Sequence, residues 1–148
     1  MSRVKNLAST VRRAACAAAL LFWVVAGPAT AGADPAVHTV TYTVTATGEL
    51  TGSVRYIISD PASQADFNAN SAEFLTTVPT AFSAGEPLVY TVTLTDPNQW
   101  AYVSASGGCH WPNCGSGIPE LQCEIAVDGQ PVVAQTATTG VTCSTRPW

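Results

Sequence analysis

Four cysteines (Cys109, Cys114, Cys123, Cys143), two histidines (His38, His110) and three clustered acids (Glu120, Glu124, Asp128) are the side chains of this 148-residue chain whose types and spacing could do chemistry. Hydrolysis through a hydroxyl or thiol nucleophile needs a histidine base oriented by a carboxylate. His38 falls at the start of a strand pattern, His110 is wedged between Cys109 and Trp111, and neither stands in a nucleophile-elbow motif. No catalytic residue is assigned, and the chain reads as a non-enzyme. Zinc could in principle take Cys109, His110, Cys114 and Cys123, but thiols outside the cytoplasm pair with one another, and adjacent Cys-His poorly serves one tetrahedral ion. Asp66, Asn68 and Asn70 match the first three ligand positions of a calcium loop, yet Ser71 replaces its glycine and Thr77 its bidentate glutamate. Neither a metal nor a cofactor is expected, and the three acids read as exposed groups rather than a glycosidase pair.

The cysteines are better explained as two disulfides. In Leu121-Gln-Cys-Glu-Ile-Ala-Val, alternation puts Leu121, Cys123, Ile125 and Val127 on one face, and Val141 shares a face with Cys143 in the same way. Two inward thiols predict a Cys123 to Cys143 core bridge. Cys109 and Cys114 then close the loop Gly107-Gly108-Cys-His-Trp-Pro-Asn-Cys-Gly115. Trp111 on that closed tip, with His110 beside it and Trp100 and Tyr102 alternating on a strand leading to it, is a candidate recognition anchor, because aromatics dominate interface hot spots. The competing reading folds Trp111 back as a lid over one end of the domain.

Which compartment holds these cysteines follows from the uneven charge. Arg3, Lys5, Arg12 and Arg13 precede an apolar run over residues 14–26, which Gly27-Pro28 ends, and small residues stand at Ala31 and Ala33. This is the layout of a secretory signal, residues 1–33, and the run is short of the roughly 20 apolar residues a membrane span needs. The expected product is residues 34–148, secreted or held in the periplasm or cell wall and not spanning a membrane. That part keeps two bases, Arg55 and Arg146, against all ten acids, a formal charge of −8. Such a surface repels phosphate backbones and anionic headgroups, so nucleic acid is not a partner. Only 11% of residues are charged and 47% are apolar, which excludes a charge-rich disordered chain.

The elements that must position these residues read as strands. Val40, Tyr42 and Val44 alternate with threonines, and Leu88, Tyr90, Val92 and Leu94 share another face. Segments 53–58 and 99–104, the two runs flanking Asp128-Gly129, and 141–144 bring the count to seven, or eight if 73–78 pairs. Asp-Gly between apolar runs predicts a two-residue hairpin turn. The prolines fall between strands or at their ends. Residues 60–74 read as a polar surface loop with at most one helical turn. The expectation is an all-β, immunoglobulin-like antiparallel β-sandwich stapled by disulfides.

Cys123-x-Ile125-x-Val127-Asp128-Gly129 followed by Cys143 resembles the C-terminal half of the mycobacterial MmpS family. Val40-Thr-Tyr-Thr-Val-Thr45, Ser53-Val-Arg-Tyr-Ile57 and Pro87-Leu-Val-Tyr-Thr-Val92 look like that family's opening, second and central strands. The resemblance implies a small extracytoplasmic β-sandwich that accompanies RND-type transporters, the MmpL proteins, in exporting lipids or siderophores. Such proteins are not enzymes and work by contact. The chain departs from that pattern in its leader, in its Cys109 to Cys114 loop and in a longer 60–84 connection. The expectation is therefore an exported, monomeric protein of the cell envelope acting by protein contact, or alternatively a secreted carrier of an apolar envelope ligand.

Overall fold

The alternating segments form eight strands: β1 (His38–Ala46), β2 (Leu50–Ile57), β3 (Leu75–Phe82), β4 (Leu88–Leu94), β5 (Tyr102–Gly108), β6 (Glu120–Val127), β7 (Gln130–Thr138) and β8 (Gly140–Ser144). Helix α1 (Gln64–Phe74) joins β2 to β3, and one helical turn, α2 (Pro97–Trp100), joins β4 to β5. The computed structural model describes residues 34–109 and 117–147, so the predicted leader, His110, Trp111 and Cys114 lie outside the described residues. The strands make two four-stranded sheets, ordered β4-β1-β6-β7 and β3-β2-β5-β8, with every named pairing antiparallel. This is the expected all-β sandwich, and of segment 73–78 the part from Leu75 on does pair, with Leu75 opposite Ile57, while Glu73 and Phe74 end α1.

Period-two patterning decides which side chains meet. In β1, Val40, Tyr42 and Val44 are fully buried while the threonines between them face outward. Leu50 and Val54 of β2, Val103 and Ala105 of β5, and Val141 of β8 are buried in the opposing sheet. Full burial of one such aliphatic side chain contributes about 1.5 to 3 kcal/mol. The predicted core bridge is present: Cys123 of β6 is bonded to Cys143 of β8, with Cα atoms 5.9 Å apart, so it fastens one sheet to the other. The Asp-Gly turn is also where expected, with φ of 50° at Asp128 and 81° at Gly129 between β6 and β7. A two-residue turn of this hand needs positive φ at both positions, which glycine adopts freely.

Three local expectations are corrected. Residues 60–74 are not a loop with at most one turn, because α1 spans 11 residues. Its start is fixed by Ser63, whose hydroxyl accepts from the Asp66 N–H at 3.1 Å. The side chains of Asp66, Asn68 and Asn70 are engaged along this helix, Asn70 donating to Asp66 and Gln64 donating to Asn68. Trp100 does not alternate with Tyr102 on a strand. Pro97, with its preset φ, opens a helical turn in which Trp100 N–H donates to Asp96 and Ala101 N–H to Pro97. Finally, Pro79 lies inside β3 rather than between strands or at an end, whereas Pro131 stands at the start of β7 as expected. Both strands are at sheet edges, where a missing N–H is tolerated.

Candidate functional site

The outer face of the second sheet gathers the features that most resemble a recognition site. Arg55 of β2 and Ser104 of β5 are register partners, so Arg55 shares this face with Tyr102, two positions from Ser104. Helix α1 lies against it, and Ile58 N–H donates to the carbonyl of Phe74 at its end. Phe67 of α1 stands 6.0 Å, centroid to centroid, from Trp100 and 6.5 Å from Phe74. The α2 turn carries Trp100 into this cluster, where it is only 3% exposed.

The segment after β8 closes the site from a third side. Thr145 donates its hydroxyl to the Pro97 carbonyl at 2.7 Å and its N–H to Ala101 at 3.1 Å, which pins the chain beside α2. The next residue, Arg146, sets its guanidinium carbon 4.6 Å from the Trp100 ring centroid and donates to the side chain of Gln64 on α1. A partly desolvated cation over an indole contributes about 1 to 2 kcal/mol. Arg55, Phe67, Leu75 and Tyr102 line a cavity of about 190 Å³. Arg55 is exposed, and among the described residues its side chain forms no hydrogen bond or ion pair. Both bases of residues 34–148 therefore sit on one aromatic face of an otherwise acidic chain.

The predicted contact residues divide accordingly. Trp100 and Tyr102 come together, Trp100 as the buried base of the cluster and Tyr102 as part of the cavity wall. Trp111, His110 and Cys114 lie outside the described residues. Cys109 is disulfide-bonded, and two cavities of about 260 and 230 Å³ border it, both reaching Leu50 and Gly108. Sequence reasoning missed Arg55, Arg146, Phe67 and Phe74. The signal for the arginines was available, since they are the two bases left outside the leader. The signal for the phenylalanines was the cap pattern Ser63-x-x-Asp66, which announces a helix that hydrophobic periodicity does not.

A second constellation was also missed. His38 Nδ1 lies 2.7 Å from Asp128 Oδ2, and Asp128 Oδ1 accepts from the Thr39 N–H at 2.9 Å. The His38 bond first, and the Thr39 N–H second, hold the Asp128 carboxyl below the usual carboxylate range. This is the base-and-carboxylate half of a triad. Among the described residues no hydroxyl or thiol is hydrogen-bonded to His38, so the pair ties β1 to the β6-β7 turn. Cys123, a member of the zinc set, is consumed by its disulfide. Among the described residues no group of three or more His, Cys, Asp or Glu could hold a metal, and no helix is long and apolar enough to cross a membrane.

Comparison with known proteins supplies the lineage. Residues 42–143 match the family model described as the Rv2576c beta-sandwich domain. The uncharacterized protein Rv2576c of Mycobacterium tuberculosis is 49% identical over 148 residues, which cover all of this chain and 91% of that protein. The uncharacterized protein Mb2606c of Mycobacterium bovis matches to the same extent. These findings correct the MmpS resemblance: the matching family is a different one, and these relatives carry no MmpS name. The motifs behind that expectation, alternating Val/Thr strands and a cystine hairpin, are requirements of a stapled sandwich and do not distinguish one lineage from another. The expectation of a transporter partner came with that resemblance and has no support from these relatives.

Proposed function

The chain belongs to the Rv2576c beta-sandwich domain family, and from that premise we propose an exported, non-enzymatic sandwich that works in the cell envelope or medium by contact with another envelope protein. The observation that carries this is the placement of Arg55 and Arg146 beside Phe67, Trp100 and Tyr102. Interface centres are enriched in aromatic side chains and arginine. Residues 34–148 carry a formal charge of −8, and this face is where an acidic partner surface would be steered. Export is supported by the basic and then apolar layout of residues 1–33.

A carrier of an apolar envelope ligand is the second reading, favoured by the partly apolar wall around Tyr102. The cavities at about 190, 230 and 260 Å³ fall below the roughly 300 Å³ at which ligand pockets usually begin, so contact is the better account. A photoreactive phenylalanine analogue in place of Tyr102 should crosslink one envelope protein in the host, and Arg55→Glu should abolish that product. A product that persists in Arg55→Glu removes this face from the proposal. N-terminal sequencing of the native protein should begin at Asp34, and an intact leader would mean a tethered rather than a released form.

A further inference from the structure

The outer edge of β4 stands apart from the other sheet edges among the described residues. A sheet edge presents unpaired N–H and C=O groups, and proteins usually blunt it with proline, a bulge, brevity or charge. β3 carries Pro79, β7 carries Pro131 and a register shift between Ile125 and Ala126 of its neighbour, and β8 is five residues long. β4, Leu-Val-Tyr-Thr-Val-Thr-Leu, has no proline, no charge and no register irregularity over its seven residues. Among the described residues only β1 pairs with it.

Thr39 N–H and C=O are both bonded to Asp128 at the end of β6. Successive residues of a central antiparallel strand address opposite neighbours, so Val40, Tyr42 and Val44 address β4, pairing with Val92, Tyr90 and Leu88. Val89, Thr91 and Thr93 therefore turn their N–H and C=O groups outward, and all three are exposed, Val89 by 57%. The inward row Leu88, Tyr90 and Val92 is only half-buried, whereas its β1 counterparts are fully buried. Tyr90 stacks on Tyr56 of the other sheet at 4.6 Å, so the flank beside β4 is walled by apolar side chains that one more strand would cover.

We propose that this edge accepts an extended segment of another protein by β-strand addition, with apolar residues alternating along the guest and a lysine or arginine at its ends. Charge selects such a guest over a second copy. Glu86 and Asp96 bracket β4, and antiparallel β4-to-β4 pairing would set the Glu86 end of one copy near the Asp96 end of the other, on chains that already repel. The proposal is independent of the arginine face.

Isotope-labelled full chain titrated with the peptide Lys-Val-Thr-Val-Thr-Val-Thr-Val-Lys tests it by amide hydrogen exchange. Binding should slow Val89, Thr91 and Thr93 by about tenfold or more while leaving Tyr90 and Val92, already bonded to β1, unchanged. Thr91→Pro removes an outward N–H only, and should weaken binding by about tenfold. Methylating the peptide nitrogens that face β4 should do the same with the protein untouched. Absence of slowing at millimolar peptide, protection at another edge instead, equal binding by the methylated peptide or by one ending in glutamate, or sedimentation of the free protein as a dimer with these amides protected would each overturn the proposal.

Discussion

Tyr42 of β1 donates its phenolic hydrogen to the carbonyl of Ile57, the last residue of β2, at 3.1 Å. The bond crosses from one sheet to the other at a fully buried side chain, so the phenol has no water to fall back on. Burial pushes its pKa far above the ordinary tyrosine value, because the ionised form would be stripped of solvent. The same ring stands 5.6 Å from Tyr56, which itself stacks on Tyr90, giving a row of three tyrosines between the layers.

Tyr42→Phe keeps the ring and removes the donor. The loss should be about 1 to 2 kcal/mol, the usual effect of taking one partner from a buried hydrogen bond. Urea denaturation with an unchanged slope and a lowered midpoint is the expected result. An unchanged midpoint would mean that the Ile57 carbonyl finds another donor.

The Asp128 carboxylate gives the fold a defined acid sensitivity. Its folded pKa lies below the ordinary value, so its stabilisation is complete above the unfolded-chain pKa and is lost as pH falls through the folded one. Asp128→Asn should therefore flatten the decline in Tm between roughly pH 5 and pH 2 relative to the parent. Superimposable Tm profiles for parent and variant would show that His38 and Thr39 hold this side chain without energetic effect.

How much of this was legible in the sequence depends on the period of each segment. The strands of the sandwich announce themselves because one face is buried and the other wet, so Val40, Tyr42 and Val44 had to alternate with threonines. Parity along the same strands placed Cys123 and Cys143 toward each other. Helix α1 left no such trace: none of its residues is buried, and apart from Phe67 and Phe74 it is made of small and polar residues. Only a cap pattern signals it. Trp100 was misplaced because Gln99-Trp-Ala-Tyr alternates like a strand, while the Pro97 turn before it dictates otherwise. The arginine and aromatic cluster was hidden for a different reason. Its members come from β2, α1, α2, β5 and the segment after β8, and no local pattern links positions brought together by the tertiary fold alone.

Gly52 is where backbone closeness leaves no room for any side chain. A Cβ there would lie 1.9 Å from the Ser106 carbonyl oxygen and 2.6 Å from the Gly107 Cα, both backbone atoms of the neighbouring strand β5. Gly52→Ala must force β2 and β5 apart and should cost about 2 to 3 kcal/mol or more. Gly107→Ala is the control, since its Cβ would come no closer than 3.3 Å, to a side-chain atom of Leu50. Equal midpoints for the two variants would show that the strands shift at little cost.

The Cys123 to Cys143 bridge should be the largest single contribution testable by removal. It closes a sequence separation of 20, for which chain entropy gives about 3 kcal/mol. It also joins β6 to β8, which belong to different sheets. Replacing both cysteines by alanine should therefore lower stability by about 3 kcal/mol or somewhat more, since two buried sulfurs leave space behind them. The loss should not be uniform. β8 is a five-residue edge strand held on one side by β5, so its amides should exchange freely before those of β1, which is paired on both sides. Hydrogen exchange in the double variant reads both quantities at once. A loss below about 1 kcal/mol, or equal loosening of β1 and β8, would mean that the apolar layers alone hold the sheets together.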